Sequence, residues 1–214
     1  PAPVDPEDGP LTPTPIILRE REIGGSLSRF AQARALPGAG FAEAERAVNV
    51  VVAAHPALRM RLRAEHGVWA LRTEPARAVT LVRADTDDPA AAADEAADRL
   101  DPEAGQVIAF TWLDVTRTLV VTAHHIAIDA VSWLILLDDL ATAMRGAALP
   151  PPTTSYAEYA DALATASAHD IDGLGHWVHT LQAPAPLPTT GGRHEITVDL
   201  PPAGRGQRGG GLEG

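Results

Sequence analysis

The chain has 214 residues, 45% of them hydrophobic, and is long enough to bury a sizeable core as one domain or as two small ones. Its 17 basic and 28 acidic side chains give a net charge of −11, which opposes binding to nucleic acid or to an anionic membrane surface. No cysteine is present, which excludes disulfides, thiolate catalysis and thiolate metal sites within this chain. We therefore expect a folded cytoplasmic protein whose partners are other proteins or small molecules.

The two ends of the chain have the composition of unstructured segments. Residues 1–10 are acidic, lack the basic and apolar regions of a signal peptide, and are predicted to form a linker. The prolines of this region, Pro10, Pro13 and Pro15, favour extended chain over helix. Residues 201–214 are rich in proline and glycine and are predicted to be a disordered tail. The folded region is expected over residues 11–200, and no apolar run in it is long enough to span a membrane.

The first half of the folded region alternates between strand and helix patterns. Residues 26–38 are interpreted as a strand, and residues 41–55 carry apolar side chains at helical spacing. From residue 58 to residue 63 the period changes to two, which predicts a strand with one apolar and one charged face: Leu58, Met60 and Leu62 against Arg59, Arg61 and Arg63. We expect this strand to form a hairpin with residues 68–71.

The second half continues the alternation. It is predicted to contain a strand at 78–84, a helix at 88–100 with Asp88 as its N-cap, strands at 106–114 and 117–125, helices at 130–144, 155–166 and 173–182, and a last strand at 194–200. The strand at 117–125 is apolar on both faces, as is typical of a central strand. This order predicts an α+β fold in one lobe, with a mixed β-sheet packed against helices.

Two adjacent histidines, His124 and His125, end the predicted central strand, and Asp129 follows four residues later. Strand alternation sends His125 to the face of Val121 and Ala123, and His124 to the opposite face. At a strand end each ring is expected to be partly buried, where a neutral imidazole is available as a base. A catalytic group at this strand end is one interpretation of these residues.

The same residues also admit interpretations without catalysis. Asp129 immediately precedes the predicted helix and is a suitable N-cap, a contribution of about 0.5–2 kcal/mol, and the histidines are compatible with hydrogen-bonded core residues. A metal site is not predicted, because adjacent strand residues point apart and no His-x-x-x-His spacing occurs. Spacing alone leaves the structural and the catalytic interpretations open.

The stretch HHIAIDAVSWLILLDDL at 124–140 resembles the His-His-x-x-x-Asp-Gly signature of nonribosomal peptide synthetase condensation and epimerization domains, which are relatives of chloramphenicol acetyltransferase. PLTPTP at 10–15, HPALRMRLR at 55–63, SYAEYADAL at 155–163 and HWVHTL at 176–181 are similar to further segments of this family. The resemblance implies a chloramphenicol acetyltransferase-like lobe. The Val-Ser-Trp after the signature is more similar to the epimerization branch.

The resemblance also implies roles for individual residues. His125 would be the catalytic residue, which exchanges the α-proton in an epimerase, or positions the amine or stabilises the tetrahedral intermediate in a condensation enzyme. His124 would be a buried orienting residue. Asp129 would be structural and would pair with Arg59 or Arg61.

Two departures from the family pattern affect what the chain is expected to do. Ala130 stands where the signature has glycine. Family members have two lobes with the active site between them, and this chain matches the first lobe only, so it would hold half of an active site and its status as an enzyme stays open. A docking module without catalysis and an acyltransferase assembled from several subunits are the alternatives to an epimerization or condensation lobe.

The resemblance implies partners rather than a bound cofactor. The expected partners are a peptidyl carrier protein, whose phosphopantetheine arm delivers the substrate, and the C-terminal lobe or neighbouring synthetase domains. We expect neither nucleic acid nor a membrane as partner.

Overall fold

The computed structural model describes residues 9–22, 30–65, 68–151, 154–169 and 173–182. The chain divides into two units, residues 1–171 and 172–214, and each is described by itself. Residues 1–8, the strand predicted at 194–200 and the tail predicted at 201–214 lie outside the described residues. Every described helix is too short or too polar to cross a lipid bilayer.

The described elements of the first unit are seven strands, five α-helices and one 3₁₀ turn. Their bounds in chain order are β1 (Pro10–Leu11), α1 (Pro15–Glu22), β2 (Ala31–Pro37), α2 (Phe41–Ala54), the 3₁₀ turn (Pro56–Arg59), β3 (Met60–Glu65), β4 (Val68–Thr73), β5 (Leu81–Ala84), α3 (Pro89–Ala97), β6 (Ile108–Leu113), β7 (Thr118–His124), α4 (Ala130–Met144) and α5 (Tyr156–His169). In the second unit the described residues contain α6 (Leu174–Gln182).

A four-stranded mixed sheet in the order β2-β7-β6-β5 forms the centre of the first unit. Strand β5 is parallel to β6, whereas β7 is antiparallel to both of its neighbours. Helices α2 and α4 pack on one face of the sheet, where Val48, Leu140 and Val121 belong to one core, and α3 packs on the other face, where Ala92 and Val120 form a smaller core. The prediction of a central strand that is apolar on both faces is confirmed, and so is the α+β class.

A second sheet in the order β1-β4-β3 contains the predicted hairpin. Its apolar face buries Met60, Leu62 and Leu71 in a core that also includes Ile126, from the loop after β7. The mixed sheet expected from the sequence is present, but the hairpin belongs to this second sheet. The alternation of residues 58–73 identifies strands and faces but carries no information about which sheet the strands join.

Two local predictions are wrong, and in both cases a proline begins a helical element where extended chain is predicted. Extended chain is predicted at Pro15, but α1 begins there, because a proline at the first helical position loses no intrahelical hydrogen bond. Leu58 and Arg59 are predicted to lie in a strand, but Pro56 starts a 3₁₀ turn that contains both, and β3 begins at Met60.

The helix starts predicted from capping residues agree with the structure. The side chain of Asp88 accepts a hydrogen bond from Ala90 N (2.8 Å) at the start of α3. At the start of α5, Ser155 N donates to Glu158 Oε2 (2.9 Å) and Glu158 N donates to Ser155 Oγ (3.1 Å), which forms a capping box.

Candidate functional site

The two histidines lie at the end of β7, in different surroundings. His124 is fully buried, and its Nδ1 accepts a hydrogen bond from Ile126 N at 3.2 Å. His125 is predicted to continue the strand, but β7 ends at His124 and the half-buried His125 begins the loop to α4. One backbone hydrogen bond extends the pairing of β2 and β7 past the strand end: His125 N donates to Phe30 O at 2.8 Å.

The ring of His125 is held by its own loop and by the segment that leads into β2. Its Nδ1 lies 2.7 Å from Ile128 O, and because a carbonyl oxygen only accepts, Nδ1 carries the hydrogen of this bond. Its Nε2 lies 3.1 Å from Gln32 Nε2. The ring of Phe30 stacks on it with centroids 4.8 Å apart and an interplanar angle of 28°. His125 therefore has one orientation, fixed from three sides.

Asp129 is the N-cap of α4. Its Oδ1 accepts hydrogen bonds from both Ser132 N and Ser132 Oγ, each at 2.7 Å. The backbone N–H of Ser132 and then its hydroxyl are the main reasons why the pKa of Asp129 lies below its ordinary value. The carboxylate thereby fixes the point at which the His125 loop becomes helix.

The two arginines expected beside Asp129 make hydrogen bonds elsewhere. Arg59 is buried and donates from Nη1 to Glu74 O (2.6 Å), while Arg61 donates from Nε to Glu103 O (2.8 Å). The expected pairing with Asp129 is corrected accordingly, because the cap bonds to Ser132 hold the carboxylate at its own helix. Arg59 instead joins the 3₁₀ turn to the end of β4.

His125 and Asp129 share the wall of an open cavity of about 580 Å³. Most of its lining is apolar and comes from the 3₁₀ turn, the loop after β7 and helices α1, α4 and α5, including Ile16, Leu58, Ile128, Leu136 and Leu163. Among the described residues that line it, Asp129 is the one carboxylate, and arginine does not occur. Ala130, the residue in place of the signature glycine, is exposed and does not belong to this lining.

A second histidine of this cavity has no counterpart in the sequence predictions. His55 follows the last residue of α2, and its Nε2 lies 2.7 Å from Oδ2 of the buried Asp139 on α4. Asp139 interrupts the apolar sequence of α4, and a carboxylate that is buried in the fold requires a partner. This carboxylate in an apolar sequence is the feature from which a partner such as His55 could have been predicted. Gln32 and Trp133, which also hold the site together, carry no comparable signal.

The described His, Asp and Glu side chains do not converge in any group of three able to hold a metal ion. The arrangement instead offers an oriented imidazole beside a largely apolar cavity. This is a setting for proton transfer or for hydrogen bonding to a largely apolar ligand.

The fold is of the chloramphenicol acetyltransferase-like class. The sequence model of the Condensation domain family matches residues 42–195, and the chain belongs to this family. The match includes both histidines, Asp129 and the two arginines.

Curated relatives are nonribosomal peptide synthetases. The chain is 30% identical over 184 residues to a linear gramicidin synthase polypeptide of Brevibacillus parabrevis, an alignment that covers 72% of this chain and 4% of that protein. It is 29% identical over 168 residues to an NRPS-like tryptophan epimerase of Fusarium equiseti, covering 70% of this chain and 11% of that protein.

Solved structures give the same fold. The epimerization domain from the third module of tyrocidine synthetase B superposes with a TM-score of 0.72 at 20% identity, covering 85% of this chain and 47% of that one. The X-domain from teicoplanin biosynthesis superposes with a TM-score of 0.65 at 24% identity, covering 86% of this chain and 45% of that one. The chain thus spans slightly less than half of these structures.

Proposed function

We propose that the chain is the N-terminal lobe of an epimerization-type domain, which converts the L-aminoacyl or L-peptidyl thioester of a carrier protein to its D-isomer. The observation that carries this proposal is the oriented ring of His125 at the wall of an apolar cavity. The epimerization domain of tyrocidine synthetase B, which shares this fold, and the fungal tryptophan epimerase among the relatives support this branch of the family.

The chemistry assigned to His125 is proton transfer at the α-carbon of the thioester. Because Nδ1 carries a hydrogen, Nε2 of the uncharged ring is the nitrogen with a lone pair, and this is the form that acts as a base. Nε2 takes the α-proton, the C–H bond breaks, and the electron pair moves into the thioester carbonyl as an enolate. Return of a proton to the opposite face of the carbon gives the D-isomer, and we assign this second group to the C-terminal lobe.

His124 and Asp129 act through structure in this proposal. The buried ring of His124 accepts the Ile126 N–H and so shapes the loop that begins at His125. Asp129 fixes the other end of the same loop by capping α4. Arg59 and Arg61 support the neighbouring sheet rather than the carboxylate of Asp129.

The cavity is proposed to receive the end of a phosphopantetheine arm together with the substrate's side chain. Its largely apolar wall favours the uncharged pantetheine chain and an apolar side chain. The partner that delivers this arm would be a peptidyl carrier protein.

The exposed face of α4 is the proposed contact for the C-terminal lobe. Helix α4 is apolar on most of its surface, and Val131, Leu134 and Ile135 remain 64%, 71% and 56% exposed. A helix that is apolar on all sides is normally buried on all sides. The largely apolar outer face therefore favours a second lobe as its partner.

An α-hydrogen exchange experiment tests the proposal. The chain is incubated in deuterated water with an L-aminoacyl carrier protein, alone and with the C-terminal lobe of a related epimerization domain, and deuterium is followed by mass. Incorporation that is lost in His125→Ala and kept in His179→Ala, an exposed histidine of α6, supports the proposal. Absence of incorporation although both partners bind contradicts it.

A docking module without catalysis is the second candidate. Its support is the X-domain of teicoplanin biosynthesis, which shares the fold and has a solved structure as a complex with OxyB. In that case the same experiment yields binding of the carrier protein or another partner without exchange.

A further inference from the structure

Gln32 connects the proposed base to the core of the lobe. Its position on β2 is opposite Ala123, which places its side chain on the sheet face covered by α4. There its Oε1 lies 2.8 Å from Trp133 Nε1, and its Nε2 lies 3.1 Å from His125 Nε2. Gln32 thus joins His125 and Trp133, which lie 93 and 101 residues further along the chain, in one chain of hydrogen bonds.

The direction of each hydrogen bond in this chain follows from donor chemistry. The indole N–H of Trp133 can only donate, so the amide oxygen of Gln32 must face it. The amide NH₂ of Gln32 then faces His125 and can only donate, so Nε2 of His125 must accept. Trp133 is buried, and its indole N–H has this one hydrogen-bond acceptor among the described contacts.

The opposite side of the ring leads to the same tautomer by an independent route. Ile128 O can only accept, so Nδ1 of His125 carries the hydrogen. A neutral imidazole has one N–H and one lone pair, and both neighbours are satisfied by the same assignment. The ring of Phe30 stacks on one face of the imidazole and supports the orientation in which both hydrogen bonds form.

We propose that Gln32 is a positioning residue that sets the Nδ1–H tautomer of His125 and holds its Nε2 lone pair in the resting lobe. A proton cannot be added to Nε2 while the Gln32 NH₂ points at it, because two donors would face each other. Proton abstraction therefore requires the Gln32 amide to withdraw from Nε2. Only this catalytic consequence rests on the proposed function; the tautomer assignment does not.

The tautomer is measured directly by nitrogen-15 NMR of the histidine rings in the full chain. Long-range proton–nitrogen spectra at mildly alkaline pH show which ring nitrogen is protonated, and the His125 signals are assigned by their loss in His125→Asn. The wild-type chain is expected to carry the hydrogen on Nδ1. In Gln32→Leu, loss of one hydrogen bond lowers the ratio of the Nδ1–H to the Nε2–H form by about twofold to tenfold.

Two further variants make the test specific. In Gln32→Glu, an isosteric carboxylate that only accepts replaces the donor, and Nε2 is expected to become protonated. In Gln106→Leu, the same substitution as in the test variant at an exposed glutamine, the ratio is expected to stay as in the wild type. Dispersion of the backbone amide spectrum checks the fold of each variant.

The outcomes separate this inference from the proposed function. A wild-type His125 protonated on Nε2, or a ratio unchanged in both Gln32 variants, overturns the role of Gln32. A ratio that changes as expected supports it, whether or not the chain exchanges α-hydrogen. If the tautomer ratio changes as expected but no α-hydrogen exchange occurs with both partners bound, the proposed function is contradicted and the role of Gln32 is still supported.

Discussion

Asp129 shows at the scale of single residues how a signature residue shapes the site by capping a helix. Its carboxylate accepts two hydrogen bonds from Ser132 at the first turn of α4, only four residues after His125. The sequence suggested the N-cap as a structural interpretation, and the geometry supports it. The arginine pairing implied by the family resemblance is replaced by bonds of Arg59 and Arg61 to backbone carbonyls.

The N-cap hydrogen bonds of Asp129 lead to a prediction about the stability of the fold and its dependence on pH. Asp129→Ala is expected to lower the free energy of unfolding by about 0.5–2 kcal/mol at neutral pH. Because the pKa of Asp129 is lower in the folded chain, the stabilisation is present above the pKa of unfolded aspartate and is lost as the pH falls through the folded value. Urea unfolding at several pH values measures the difference.

The control for this prediction is Asp138→Ala, which removes an exposed carboxylate from the middle of the same helix. It is expected to change the stability little at any pH. A loss in Asp129→Ala that is equal at neutral and strongly acidic pH would contradict an ionised cap.

The pair of half-buried His55 and buried Asp139 leads to a prediction about coupling. Asp139→Ala removes the partner of a histidine that is bonded at 2.7 Å and is expected to cost about 1–3 kcal/mol of unfolding free energy. A double-mutant cycle with His55→Ala is expected to give a coupling energy of about 0.5 kcal/mol or more. Strict additivity of the two substitutions would show that the contact contributes nothing.

Helix α4 is the element on which core and site both depend. It supplies Asp129 to the His125 loop, Trp133 to Gln32, Asp139 to His55 and Leu140 to the core. Its opposite face is exposed and also largely apolar. The two faces therefore have different consequences for the stability of the isolated lobe.

Two identical substitutions on α4 test this division. Leu140 is fully buried, and Leu140→Ala is expected to cost about 2–5 kcal/mol of unfolding free energy. Leu134 is 71% exposed, and Leu134→Ala is expected to change the stability by about 0.5 kcal/mol or less. Chemical denaturation of both variants gives the comparison; equal losses would mean that α4 is packed on both faces.

The elements differ in how far the sequence predicts them. Helices α3 and α5 are predicted with their first residues, because Asp88 and the pair Ser155 and Glu158 are local capping signals. Helix α1 is not predicted, because a proline is compatible with both extended chain and a helix start. The division into two sheets is not predicted, because strand pairing is set by contacts between residues distant in sequence.

Prediction of the site from the sequence is limited in the same way. His125 and Asp129 are recognised from the sequence because they stand close together in a specific pattern. Gln32 lies 93 residues before His125, and its hydrogen bond arises only when β2 pairs with β7. A polar residue on a strand has many possible partners, so neither its contact nor the tautomer it selects follows from sequence alone.

At the scale of the whole molecule, the exposed face of α4 leads to a prediction about assembly. Leu134→Arg is expected to weaken binding of a C-terminal lobe from a related epimerization domain by about tenfold or more, because a charge would have to be buried at the contact. Val115→Arg serves as control, since Val115 is 80% exposed in the turn at the opposite end of β7. Calorimetric titration of the two lobes measures both affinities, and equal affinities would place the contact elsewhere.

The stereochemistry of the product tests the central claim most directly. An L-aminoacyl carrier protein is incubated with this chain and the C-terminal lobe, the amino acid is released from its thioester, and its two enantiomers are separated. We predict a mixture of L and D forms with the wild-type chain and the L form alone with His125→Ala. Unchanged L-amino acid with the wild-type chain, although both partners are bound, would contradict the assignment of this lobe to an epimerase.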